Sequence, residues 1–228
     1  MDKIIERNID LPITDEALLK RLRMIEDPED DDCLKAIGML KEALACAKPK
    51  FVYGLAAIEE KGDDFVVVEG RRIISPLVRR NLDKIHRIFP YVATCGVEVE
   101  LWSRQFTDML EHFWADEIKL MILEQCFMVM NQTIKDKYFA NSDMSRMNPG
   151  SLPAWPITAQ AVLFDIIGNP QADVGVSLTS SCLMIPSKST SGFFFSSDSH
   201  FENCALCPRL DCPNRKAIYQ PSAGTIPT

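Results

Sequence analysis

Apolar residues recur at helical spacing along several stretches of the chain, separated by polar or proline-containing segments. Because helix side chains three or four positions apart share a face, this periodicity predicts amphipathic helices. Helices are predicted over 15–22, 33–47, 76–88, 98–139 with a break near 114–116, and 156–168. Thr14 or Asp15 can cap the first of these helices, and Ser75 followed by Pro76 begins the third.

Shorter stretches of β-favouring residues lie between the predicted helices. Strands are predicted over 4–9, 51–60, 65–68, 91–94, 176–179, 182–185 and 191–196. Residues 61–64 form a glycine-containing turn between two of these strands, which indicates a hairpin. Strands and helices interleave without a regular βαβ period, so the sequence predicts an α+β fold with a mainly antiparallel, twisted sheet flanked by helices.

Composition and charge narrow the class of protein. Of the 228 residues, 46% are hydrophobic, which is enough for a sizeable buried core. The formal net charge of −7 argues against general binding of nucleic acid, which depends on clustered Lys and Arg. No signal-type stretch is present at the start, and none approaches the ~20 apolar residues of a membrane span. We therefore expect a cytoplasmic protein whose partners are proteins or small molecules, with no nucleic acid and no membrane.

The candidate chemistry is confined to the second half of the chain. Residues 1–95 are an N-terminal α+β part without a recognisable motif, 96–201 carry the motifs that indicate function, and 202–228 are a cysteine-rich C-terminal segment. We expect the three parts to form one compact unit. The tail beyond Ala217 has few apolar residues, so we expect its end to fray.

Residues 145–153 are rich in Ser, Asn, Pro and Gly and are predicted to form a loop between two helices. Gly150 permits close approach of another group. Arg146, beside exposed backbone amides, can hold a carboxylate through paired hydrogen bonds. The alternative is a surface loop with an ordinary solvated arginine, and the loop alone does not separate these two interpretations.

Several segments match, in one order, the pattern of a known protein family. The first has the form Arg-x-x-x-Gly followed by a proline-rich helix start, and it consists of Arg146, Gly150, Pro153 and Pro156. The others are Gly-Val-Ser-Leu-Thr-Ser-Ser at 175–181, Ser-Thr-Ser-Gly-Phe-Phe-Phe-Ser at 189–196 and Asp-Ser-His-Phe at 198–201. Together they resemble the activation domain of cobalamin-dependent methionine synthase. Several motifs in one order are more specific than any one alone.

The resemblance implies that the chain binds S-adenosylmethionine. In that family the arginine and neighbouring backbone hold the methionine end of the ligand, which assigns ligand contacts to Arg146, Met147, Gly150 and Ser151. A glutamate from the preceding helix and an aromatic residue near the end of the fold also contribute in the family.

Glu124 and Phe201 are the candidates for these two positions, although Glu124 is also typical of an exposed helix residue. The family has a Tyr at the positions of Ser151 and Phe201, so two of its hydroxyl-bearing rings are missing here. Because each hydrogen bond contributes a net ~0.5 to 1.5 kcal/mol, weaker or altered binding is expected.

The resemblance also implies a partner that carries cobalamin. Cob(I)alamin is occasionally oxidised to an inactive cob(II) state, and methylation by S-adenosylmethionine draws the unfavourable re-reduction forward. The chain would orient the methyl group, and no general acid or base is required. The partner is expected to be methionine synthase or a corrinoid protein of another methyl-transfer pathway, with this chain as its accessory protein.

Cysteines close to the C-terminus suggest a metal site. Cys204, Cys207 and Cys212 have the spacing Cys-x2-Cys-x4-Cys, and three thiols within nine residues favour zinc or an iron–sulfur cluster. Cys182 is the preferred fourth ligand, and Cys95 or a small molecule is the alternative. An iron–sulfur cluster would pass one electron to cob(II)alamin, whereas zinc would only stabilise the structure of the C-terminal loop. A reduced, thiol-rich tail without metal is the third interpretation.

A second function stays open beside the first. The chain could be a metal-binding adaptor or electron-transfer protein that has kept the fold but not the binding of S-adenosylmethionine. Titration with S-adenosylmethionine distinguishes the two, because only the accessory protein binds it.

Overall fold

The structure is a computed structural model, and it describes residues 1–25, 27, 29–196, 203–211, 215 and 217–220, with 203 and 204 described by their backbone. The helices are α1 Asp15–Leu22, α2 Asp31–Cys46, α3 Pro76–Asn81, α4 Val97–Ser103, α5 Met109–Tyr138, α6 Gln160–Ile167, α7 Pro170–Val174 and α8 Asn203–Leu206. The strands are β1 Lys3–Glu6, β2 Lys50–Gly54, β3 Ala56–Lys61, β4 Phe65–Val68, β5 Arg71–Ile74, β6 Arg87–Thr94, β7 Met144–Met147, β8 Ser177–Leu178, β9 Met184–Ile185 and β10 Ser189–Ser196.

Side-chain caps determine where the longer helices begin. The Thr14 hydroxyl accepts a hydrogen bond from the amide of Ala17 at the start of α1. Asp30 and Asp108 act in the same way at the starts of α2 and α5, where each carboxylate accepts two backbone amides. Caps of this type satisfy amides that have no partner within the helix.

The main sheet is antiparallel, and β6 lies at its centre. One edge of β6 pairs first with β3 and then with β2, and its other edge pairs with β10 from Ser189↔Thr94 to Phe194↔Phe89. β1 extends the sheet beyond β2, β4 and β5 extend it beyond β3, and β7 pairs with the far edge of β10. β8 and β9 form a separate two-stranded sheet. Strands from both halves of the chain therefore share one sheet.

The two faces of the sheet pack against different helices. Phe51, Tyr53 and Phe194 lie on one face in a core that is completed by residues of α2 and α5. Val52 and Phe193 point the other way, into cores that include residues of α6 and of α3. Because successive side chains of a strand point to opposite faces, adjacent residues enter different cores.

The structure confirms the predicted α+β fold with an antiparallel sheet flanked by helices. The structure contains the two helices predicted over 98–139, as α4 and α5, but the break between them lies at 104–108 and not at 114–116. Trp114 and Ala115 are buried within the continuous helix α5, and the Asp108 cap sets its start. The single strand predicted over 51–60 is interrupted at Leu55 and forms β2 and β3. The helix predicted over 76–88 ends at Asn81, since residues 87 and 88 belong to β6.

Among the described residues, no helix combines the length and the apolar character needed to cross a membrane.

Candidate functional site

Arg146 lies on a strand, where the sequence predicted a loop. β7 pairs with β10 so that Arg146 faces Phe194 and Met147 faces Phe193 across the two strands. Among the described strands, β7 has no partner on its other side, so Arg146 belongs to an edge of the main sheet. The pairing is long-range and therefore could not be read from the local residue pattern.

The Arg146 side chain rests on an aromatic cluster formed by Tyr91, Phe127 and Phe194, called the aromatic trio below. Its guanidinium carbon is 4.6 Å from the centroid of the Phe127 ring. Tyr91 stacks on Phe194 with centroids 4.7 Å apart, and Phe127 lies 5.8 Å from Tyr91. No carboxylate of the described residues forms an ion pair with Arg146. The stacked arginine therefore keeps its charge available for an anionic group.

The loop after β7 folds back on itself. The amide of Gly150 donates to the carbonyl oxygen of Trp155 at 2.8 Å, and the amide of Ser151 donates to that of Asn148 at 3.3 Å. Gly150 has a φ of +80°, and an added Cβ would lie 2.8 Å from Cδ1 of Ile157, so the backbone conformation favours glycine. These two amides are used within the loop, and Ser151 itself is exposed. The sequence predicted exposed backbone amides beside Arg146, but the amides of Gly150 and Ser151 are already hydrogen-bonded within the loop.

Met147 and the second half of the loop lie on the opposite face of the sheet from Arg146. Met147 is buried in the core that contains Trp155 and Leu77. A cavity of about 350 Å³ opens beside this core, and it is lined by Pro76, Leu77, Arg80, Leu152, Pro153, Ala154 and Leu206. Because the cavity and Arg146 are on different faces, the cavity is not part of the Arg146 surface.

Glu124 lies on α5, one helical turn before Phe127. Its carboxylate accepts hydrogen bonds from both terminal nitrogens of Arg21, at 2.8 and 3.2 Å. Nε of the same arginine binds Glu117 at 2.7 Å. Arg21 thus clamps α1 to α5, and Glu124 enters the candidate site only if it shares its carboxylate between Arg21 and a ligand. A role of Glu124 in binding stays a prediction.

The remaining predicted site residues are only partly described. Phe201 and Cys212 lie outside the described residues, and the side chain of Cys204 does as well. Cys182 lies in the turn between β8 and β9, and Cys207 packs against the core near Trp155. Within the described part of the chain, no group of three Cys, His, Asp or Glu residues is placed to hold a metal ion. The metal site therefore stays a prediction.

The structure also brings to Arg146 three residues that the sequence did not single out: Tyr91, Phe127 and Asn148. Burial raises the pKa of the Tyr91 hydroxyl, while the positive charge of Arg146 and a hydrogen bond from Asn148 act in the opposite direction. These residues come from β6, α5 and the end of β7, so only the tertiary fold unites them. The single signal in the sequence was that Asn148 lies within the Arg146–Gly150 motif.

Comparison with known proteins gives a match in structure only. The sequence matches no protein-family model, and a comparison with curated proteins finds no match. A crystal structure of the MetH reactivation domain bound to AdoHcy is similar to this chain, with a TM-score of 0.59 at 15% sequence identity. The match covers 89% of this chain and 81% of that one. The chain therefore has the fold of the MetH reactivation domain.

Proposed function

We propose that this protein binds S-adenosylmethionine at the β7 edge and serves as an accessory protein in the reductive reactivation of a cobalamin-dependent methyltransferase or corrinoid protein. The observation that carries the proposal is the shared fold with a domain that binds AdoHcy, together with Arg146 on the edge strand of that fold. AdoHcy is the product that remains when S-adenosylmethionine gives up its methyl group. The two ligands differ only by that methyl group, so a surface that binds AdoHcy also fits the rest of S-adenosylmethionine.

The geometry of Arg146 supports binding of the amino-acid end of the ligand. The Arg146 guanidinium lies over the Phe127 ring, and its N–H donors lie in the plane of the group. Such a planar fork pairs with a carboxylate through two parallel hydrogen bonds. Since no described carboxylate occupies that position, the methionine carboxylate of the ligand is the anion we assign to it.

The proposed reaction needs little from the protein beyond binding and orientation. The corrinoid of the partner would supply the metal chemistry, and the sulfonium of S-adenosylmethionine would supply the methyl group. This chain would fix the direction in which the methyl group faces the metal. Arg146 acts by holding the ligand, and no proton transfer is assigned to it.

Isothermal titration calorimetry tests the proposal directly. The wild-type protein should bind S-adenosylmethionine and AdoHcy, and Arg146→Ala should weaken both by about tenfold to a hundredfold, because hydrogen bonds to charged groups contribute ~1.5 to 3 kcal/mol. Arg72→Ala is the matched control. The Arg72 guanidinium also stacks on a ring, 3.7 Å from the Phe65 centroid, but on β5 at the other end of the sheet. This variant should bind both ligands as the wild type does.

Failure of wild-type protein to bind either ligand at millimolar concentration would refute the proposal and favour the metal-binding adaptor. Equal losses in Arg146→Ala and Arg72→Ala would refute the assignment of the site to β7. The partner requires a separate experiment: a pull-down from an anaerobic extract should retain a cobalamin-binding protein. Retention should be lost when cobalamin is removed from the extract.

A further inference from the structure

The nitrogen of the partly buried Asn148 carboxamide, directly after β7, uses both of its hydrogens in bonds within the protein. Nδ2 donates to the hydroxyl oxygen of Tyr91 at 2.7 Å and to the carbonyl oxygen of Ser191 at 2.6 Å. A carboxamide nitrogen carries two hydrogens, and both are used here. Since a carbonyl only accepts, the atom that faces Ser191 must be the nitrogen. Asn148 is thus pinned to β6 and to β10 at the same time.

Gly192 has no side chain, and the Asn148 carboxamide occupies the space that a side chain would fill. A Cβ at position 192 would lie 2.4 Å from the carbonyl oxygen of Met147 and 2.6 Å from Nδ2 of Asn148. It would also lie 3.0 Å from the Tyr91 hydroxyl. The glycine of the Ser-x-Ser-Gly motif therefore allows the end of β7 to pack closely against β10.

The contacts of Asn148 lead back to Arg146 through the aromatic trio. Asn148 bonds to Tyr91, the Tyr91 ring packs against Phe127, and the Phe127 ring lies under the Arg146 guanidinium. Arg146 and Asn148 are two residues apart, a spacing that places strand side chains on one face. The four residues form a closed circuit, in which the position of Asn148 restricts where the Arg146 side chain can lie.

We propose that Asn148 is a positioning residue: it fixes the end of β7 and so holds Arg146 over Phe127 in the orientation that binds the ligand carboxylate. The step from orientation to ligand affinity rests on the proposed function. The orientation itself does not, because it is a property of the free protein. An arginine held in place loses less conformational freedom on binding than a mobile one, which strengthens binding.

The orientation can be measured without ligand. In a proton–nitrogen correlation spectrum, the Nε–H signal of Arg146 should be shifted by the ring current of Phe127, and Phe127→Leu should abolish that shift. Asn148→Ala should move the signal toward its position in Phe127→Leu. Gln160→Ala is the matched control, because Gln160 is a second buried amide that contacts Ser191, through its hydroxyl at 3.0 Å. This variant should leave the Arg146 signal in place.

Ligand affinity provides the second measurement. Asn148→Ala should weaken S-adenosylmethionine binding by about fivefold, the effect of roughly one net hydrogen bond, while Gln160→Ala should not. If Asn148→Ala does not fold, Asn148→Ser replaces it, since the shorter side chain lacks Nδ2 and so removes its bonds to Tyr91 and Ser191. It should shift the same Arg146 signal.

An unchanged Arg146 signal in a folded Asn148→Ala or Asn148→Ser variant would overturn the positioning role. A shifted signal with unchanged affinity would overturn the link to binding. Failure of the wild type to bind S-adenosylmethionine would instead refute the proposed function, and the ligand-free spectra would still decide whether Asn148 positions Arg146.

Discussion

Gly192 is the residue at which the packing of the β7 edge is most easily tested. Gly192→Ala should lower the free energy of unfolding by about 2 kcal/mol, the typical cost of overpacking a tight interior position. The physical reason is that the new Cβ meets a backbone carbonyl, at 2.4 Å, and not the end of a flexible side chain. Urea denaturation of wild-type and variant proteins gives the difference.

Gly38→Ala is the contrasting control for this substitution. Gly38 lies within α2 on its exposed side, and an added Cβ would meet no atom within 4 Å. Alanine should therefore stabilise the protein, by about 0.5 to 1 kcal/mol, through its better helix propensity. Equal effects at the two positions would show that β10 and the end of β7 do not pack as closely as the structure indicates.

At the scale of single residues, the sequence singled out Arg146 and Gly150 but not the residues that pack around Arg146. Arg146 and Gly150 stand out because they belong to a set of motifs that resemble a known family in one order. Tyr91 and Phe127 have no such signal, because an aromatic residue in a strand or helix usually means core packing. Their role depends on contacts between residues far apart in the chain, which a local pattern does not contain.

At the scale of elements, the clamp between α1 and α5 separates a structural from a functional role for Glu124. Arg21 binds Glu117 and Glu124, which lie two turns apart on α5. Each pair is partly exposed, so Glu117→Gln and Glu124→Gln should each lower the free energy of unfolding by up to about 1 kcal/mol. If Glu124 also contacts the ligand, as we expect, only Glu124→Gln should weaken S-adenosylmethionine binding.

Calorimetry and urea denaturation of the same two variants decide this point. Loss of stability without loss of affinity in Glu124→Gln would mean that the glutamate only joins the helices. Glu117→Gln calibrates the experiment, because it removes the other half of the same clamp at the same arginine.

The elements themselves could be predicted to different degrees. α1 and the β3–β4 hairpin follow from a cap and from a turn, which are local signals. β7 was missed because Met144–Met147 has no β-branched residue and becomes a strand by pairing with β10. Its edge position, where Arg146 stays partly exposed, is thus a consequence of tertiary structure.

At the scale of the whole molecule, the fold class could be predicted because it depends on the order of many elements and tolerates errors in a few of them. The predicted role of a single cysteine, by contrast, depends on where that one residue lies. Cys95 and Cys126 are fully buried, Cys95 at the end of β6 and Cys126 within α5. Cys95, weighed as a fourth metal ligand, is therefore enclosed in the core.

These two thiols predict how the stability of the folded protein depends on pH. Burial raises the pKa of Cys95 to about 12, with a further contribution from the Glu100 charge, and burial alone raises the pKa of Cys126 to about 12. In the unfolded chain both thiols ionise near their ordinary value of 9.0. Between these two values the folded state binds more protons than the unfolded state, so its stability is complete below pH 9 and falls as pH rises toward 12.

The expected loss is on the order of 2 kcal/mol between about pH 9 and about pH 10, since one pKa unit corresponds to about 1.4 kcal/mol for each thiol. Urea denaturation across this range gives the slope. Cys95→Ala and Cys126→Ala should each lower the slope by about 1 kcal/mol per pH unit, and the double variant should keep only the smaller slope from Cys46, Tyr53 and Tyr91, whose pKa values are also raised, although both cavities lower stability at every pH. Comparing slopes cancels the cavity cost, because that cost does not vary with pH. An equal slope in the wild type and the double variant would mean that these thiols ionise in the folded protein much as they do in the unfolded chain.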